Sequence, residues 1–98
     1  MHARLTTTRF AEAAAIDAVI RVVDEELIPA LRCVPGFVGY EGLLDRAAGT
    51  GLAVSLWATE AQARALRQDA AIGALLARLE ALGVELGSPV IYEVTNRA

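Results

Sequence analysis

The side chains able to do chemistry are few: one histidine (His2), one cysteine (Cys33), one tryptophan (Trp57) and two tyrosines (Tyr40 and Tyr92). A single His at the amino terminus is expected to fray, so no Ser-His or Cys-His nucleophile assembles without drawing it into a pocket. Cys33 has apolar neighbours at the end of a helical stretch and is expected as a small core residue. Being alone, it cannot form an internal bridge, which reads as a reduced, cytoplasmic chain. No His, Cys or carboxylate cluster has ligand spacing, so no metal site is expected.

The aromatic side chains carry what remains. Trp57 ends an alternating segment just before a helix start, at the mouth between a sheet and its helices. Two readings stay open there: an indole lining a pocket for a planar ligand, or a core plug whose N–H finds a backbone carbonyl. Tyr40 and Tyr92 read as half-buried sheet residues or as substrate contacts. Glu41 and Glu93, each flanked by apolar strand positions, must be exposed at an edge or paired with an arginine such as Arg4 or Arg9, because an unpaired buried carboxylate is costly.

The elements that must position these groups follow from periodicity. Ala3 to Phe10, rich in β-branched threonine, suits a strand. From Glu12 to about Leu31 apolar residues recur every three or four positions, as in an amphipathic helix, and Pro29 should kink it or set off its last turns. Pro35 and Gly36 end it. Phe37 to Asp45 and Gly51 to Ala58 read as strands of a hairpin, the second with Leu52, Val54 and Leu56 on one face and Ala53, Ser55 and Trp57 on the other. Thr59 with Gln62 forms a capping-box pattern, Asp69 caps a further helical run, and Gly83 ends it. Pro89 to Thr95 reads as the last strand.

The order is β-α-β-β-α-β, which predicts an α+β, ferredoxin-like fold: a four-stranded antiparallel sheet with both helices on one face. The other face is left bare. Strands three and four carry apolar residues at both parities, so that face is expected to pack against a second copy. Ninety-eight residues fit one domain, 1–98, and a 55% hydrophobic composition with mean hydropathy +0.43 suits a chain that completes its core by dimerising.

Composition also excludes partners. Nine arginines, scattered among twelve acids, give a net charge of −3, which argues against binding a nucleic-acid backbone. The third strand also lacks the stacking aromatics of an RNA-recognition motif: Leu52 and Val54 stand where they would be needed. Gly36, Gly39 and Gly42 are not followed by a helix amino terminus, so they read as close packing or a bulge and not as a phosphate cradle. Charged residues interrupt every long apolar stretch, so no membrane span is expected.

The segment Pro35-Gly36-Phe37-Val38-Gly39-Tyr40, followed by Gly51 to Trp57 and Ala58-Thr59-Glu60-Ala61-Gln62-Ala63, resembles the antibiotic biosynthesis monooxygenase domain of the dimeric α+β barrel superfamily. The resemblance implies a homodimer packed through the sheet face, with a pocket between sheet and helices in each subunit. Some members oxidise polycyclic aromatic phenols to quinones with O2, without metal or flavin; others degrade haem. Trp57 matches the family's strand-end tryptophan, which lines the pocket in active members. Haem degradation is disfavoured, because Glu60 to Leu82 contains no axial histidine. The asparagine typical of a pocket-facing strand is also missing: the first strand offers Thr6, Thr7 and Thr8, and the sole asparagine is Asn96.

Two functions follow from this reading. One is a cofactor-independent monooxygenase for a planar aromatic or phenolic molecule, with Trp57 holding the ring and Tyr40 or Tyr92 orienting a phenolic oxygen. The alternative is a non-catalytic homodimeric small-molecule-binding or structural domain in which Trp57 is core.

Overall fold

In the computed structural model, which describes residues 1–98, the chain runs β1 (His2–Phe10), α1 (Ala13–Val22), a π-helical turn (Val23–Leu27), α2 (Ile28–Leu31), β2 (Phe37–Asp45) and β3 (Thr50–Trp57). It continues through α3 (Glu60–Ala65), a 3-10 turn (Leu66–Gln68), α4 (Ala70–Ala81), β4 (Val84–Leu86) and β5 (Val90–Glu93). The sheet is antiparallel, with β2, β3 and β1 side by side and both β4 and β5 along the far edge of β1. The ferredoxin-like α+β fold is therefore the one expected, with one correction. The expected last strand, Pro89 to Thr95, forms as β5 over Val90–Glu93, and a further strand, β4, precedes it along the same edge: Leu86 pairs with Thr8, Val90 with Leu5, and the Gly87 N–H between them donates to the Thr7 carbonyl at 2.9 Å. Val84–Leu86, only three residues between Gly83 and Gly87, is too short to display an alternation.

Local signals acted as their chemistry requires. The Thr59 hydroxyl accepts from the Gln62 N–H at 3.2 Å while the Gln62 amide oxygen accepts from the Thr59 N–H at 3.1 Å, closing the capping box. Asp69 caps α4 through the Ile72 N–H at 3.1 Å, after the 3-10 turn that separates α4 from α3. Pro29 supplies no N–H, and the widened turn lies just before it: the Ile28 N–H reaches back five residues to the Val23 carbonyl.

The two sheet faces differ in what covers them. One packs against the helices over a core that includes Val19, Leu31, Trp57, Ile72, Leu79 and Val84. The other carries Leu5, Leu52, Val54 and Leu56, half-buried, and Val90 and Tyr92, exposed, on the side that register alternation sets away from the helices. Only 12 apolar residues are buried in a chain that is 55% hydrophobic. No helix is long and apolar enough to cross a membrane.

Two expectations are corrected. His2 is not frayed: it is the first residue of β1, paired with Trp57 and Glu93, and its Nδ1 is buried without a hydrogen-bond partner. Cys33 is exposed and not part of the core, because it falls in the turn after α2, with Sγ 3.7 Å from the Pro29 carbonyl oxygen.

Candidate functional site

A cavity of about 420 Å³ lies between the sheet and the helices, roofed by α1, the π-helical turn and α4. Its walls are mostly aliphatic: Val19, Leu27, Leu31, Ile72, Leu76 and Leu79 all contribute. The volume falls within the range of roughly 300–1,000 Å³ usual for small-molecule pockets, which combine apolar walls with a few placed polar groups.

Those polar groups stand in one row across three strands. Arg4 on β1 pairs in register with Ser55 on β3, and Ser55 pairs with Tyr40 on β2; all three line the cavity. Tyr40 reaches this face because of a bulge. Phe37 is opposite Trp57 and Tyr40 opposite Ser55, so three residues of β2 span two of β3, and the register shifts between Phe37 and Gly39. In a regular strand residues three apart point to opposite faces; the extra residue turns Tyr40 towards the helices. The loop before the bulge turns at Gly36, whose φ of 86° suits glycine, and where a Cβ would also collide with the Gln62 amide. Gly42, the next cavity-facing residue of β2, leaves room for the Tyr40 ring, whose Cε1 lies 3.7 Å from where a Cβ would stand.

The electrostatics of the row are uneven. Arg4 is 7% exposed, and its Nη1 donates to the Ala63 carbonyl at 2.9 Å and more distantly to that of Arg64 at 3.5 Å. Burial, and secondarily the nearby Arg67 guanidinium, hold its pKa below the ordinary arginine value. Burial, with a further contribution from Asp24, raises the pKa of the Tyr40 phenol and keeps it a proton donor at neutral pH.

Of the residues singled out in the sequence, the structure brings Tyr40 to the cavity and sets the other two apart from it. Trp57 is fully buried behind the wall, with its ring edge-on to Phe37 at 5.6 Å and 70°. Its indole N–H donates to the Ser55 hydroxyl at 2.8 Å, a side-chain acceptor in place of the expected backbone carbonyl. Tyr92 is 57% exposed on the uncovered sheet face. Glu41 and Glu93 are both exposed, and neither pairs with Arg4 or Arg9. Residue type and spacing do not mark Arg4 and Ser55 as pocket residues. The available signal was an arginine and a serine on the helix-facing parity of β1 and β3.

No family model matches the chain, and no curated protein matches it. Solved structures do. HapK from Hahella chejuensis superposes with a TM-score of 0.82 at 14% identity, covering 100% of this chain and 96% of HapK. An antibiotic biosynthesis monooxygenase, so described provisionally, from Deinococcus radiodurans gives 0.78 at 18%, covering 100% and 96%. The monooxygenase ActVA-Orf6 of Streptomyces coelicolor, solved with the ligand nanaomycin D, gives 0.73 at 19%, covering 99% and 88%. The chain thus has the fold of the antibiotic biosynthesis monooxygenase-type proteins.

Proposed function

We propose that this chain is a cofactor-independent monooxygenase that oxidises a planar aromatic or phenolic small molecule with O2. The observation that carries the reading is the aliphatic cavity with the Arg4, Ser55 and Tyr40 row along one wall. A flat hydrocarbon frame suits the aliphatic walls, and the row supplies hydrogen bonds along one edge of it.

The reaction is a phenol with an open ring position plus O2, giving a quinone and water. The phenol proton leaves to solvent, and the resulting anion supplies the electrons that form the new carbon–oxygen bond. The distal oxygen then departs as water, taking one proton back from solvent and the hydrogen from the ring carbon, so one oxygen atom enters the product and the other is fully reduced. Tyr40, held protonated, donates to the substrate oxygen on which charge develops, and its value lies in being oriented before the reaction begins. Trp57 acts through Ser55: its N–H fixes the hydroxyl oxygen, which leaves the Ser55 proton to point at the ligand. Trp57 is thus a positioning residue in this scheme, and Tyr92 belongs to the opposite face.

The uncovered face is assigned to a second copy of the chain. Leu5, Leu52, Val54 and Leu56 form a continuous apolar strip across β1 and β3, the kind of surface that monomeric proteins keep small. The defining experiment is turnover of hydroxylated naphthalenes and anthrones under 18O2, with oxygen uptake followed directly. One labelled atom per quinone, and a rate reduced about tenfold in Tyr40→Phe, are expected. Binding of these compounds without oxygen uptake would identify a non-catalytic binding domain instead.

A further inference from the structure

We propose that the compound the cavity takes carries a carboxylate, held side-on by the Nε and Nη2 edge of Arg4. The inference rests on the cavity being a ligand site and goes beyond that reading in naming the ligand's charged group.

Arg4 is a nearly buried guanidinium with no acid beside it. The ion pairs of the protein are Arg46 with Asp17, Arg64 with Glu60, Arg67 with Glu80 and Arg78 with Glu26; Arg4 is in none of them. Of the charged groups in the cavity wall, Arg67 is already engaged by Glu80, and Asp24 bears on Tyr40 and not on Arg4. A buried charge without a counter-charge is costly, and the cost is reduced here only by the carbonyls of Ala63 and Arg64 at the carboxyl end of α3.

Those carbonyls occupy Nη1 alone. Nε and Nη2 donate to no protein group, and neither is sealed in the interior, since His2 Nδ1 is the one buried side-chain nitrogen without a partner. Nε and Nη2 present two parallel N–H bonds on one edge of the guanidinium plane. That fork matches the two oxygens of a carboxylate, whereas a single phenolate oxygen meets only one of them well. With Nη1 tied to the helix end, the guanidinium plane is fixed before a ligand arrives. Ser55, its register partner, adds a hydroxyl beside it.

The test compares 2-naphthoate with its uncharged isostere 2-naphthamide by calorimetric titration of the full chain at neutral pH. The wild type is expected to bind the acid at least about tenfold more tightly than the amide, as a charge-assisted bidentate pair requires. Arg4→Met should bring the two affinities within about twofold, with the larger loss falling on the acid, and Arg67→Gln, at an exposed position, should keep at least about half of the preference. Equal affinities in the wild type, a preference that survives Arg4→Met, or one lost in Arg67→Gln would each overturn the assignment. If Arg4→Met does not fold, the wild-type ratio and Arg67→Gln still decide. Failure of both probes to bind would remove the cavity as a ligand site and this inference with it; equal binding removes the inference alone.

Discussion

Trp57 Nε1 donates to Ser55 Oγ at 2.8 Å, a bond between two residues of one strand face that couples the centre of the core to the wall of the cavity. Alternation places the indole and the hydroxyl on the same side of β3, and the cross-strand partners of Ser55 are the cavity residues Arg4 and Tyr40. Trp57 thus touches the row through Ser55 while its own ring lies behind the cavity wall.

Trp57→Phe removes that bond and part of a fully buried side chain. The loss should be about 2–4 kcal/mol, combining a shrunken core residue with a Ser55 hydroxyl left without its donor. Urea denaturation measures it directly. An unchanged midpoint would show that the indole is not a core element.

Gly42→Leu tests the cavity at the opposite extreme. A Cβ at this position meets only the Tyr40 ring at ordinary contact distances, so the backbone need not move, yet the added side chain enters the cavity. Affinity for 2-naphthol should fall at least about tenfold while stability changes by less than about 1 kcal/mol. Retained affinity would place the ligand elsewhere.

Val54→Asp puts a charge in the middle of the uncovered face, where Val54 pairs with Leu5 on β1 and Glu41 on β2. Light scattering should give twice 10.3 kDa for the wild type and a single chain mass for the variant. A wild type that stays monomeric at micromolar concentration contradicts the assignment of that face to a second copy.

Tyr40 makes stability depend on pH at the alkaline end. Its folded pKa is raised above the ordinary 10.0, so the unfolded chain releases this proton first. The contribution is complete below pH 10.0 and is lost as pH rises through the folded value. Denaturation midpoints of the wild type should therefore fall more steeply above pH 10.0 than those of Tyr40→Phe. Parallel profiles would mean that the phenol is as free to ionise in the folded chain as in the unfolded one.

The sequence by itself determined whatever depends on neighbours along the chain. The capping box at Thr59 and Gln62, the Asp69 cap, the break before α4, the irregularity before Pro29 and the two faces of β3 are short-range matters of hydrogen-bonding groups and spacing, and each is legible in a few residues. From these the ferredoxin-like order follows. Tertiary structure alone decided the site. Whether Tyr40 faces the helices depends on one extra residue near Val38, which becomes visible only when β2 is paired against β3. Whether Arg4 is a surface charge or a cavity cation depends on the end of α3, some sixty positions away, supplying its carbonyls. The ordering of His2 is likewise set by its pairing with Trp57 and Glu93, and the short β4 by the β1 edge it meets. Pairing across strands and packing of helix ends on a sheet are non-local, and no local pattern of residue types encodes the register that brings Arg4, Ser55 and Tyr40 into line.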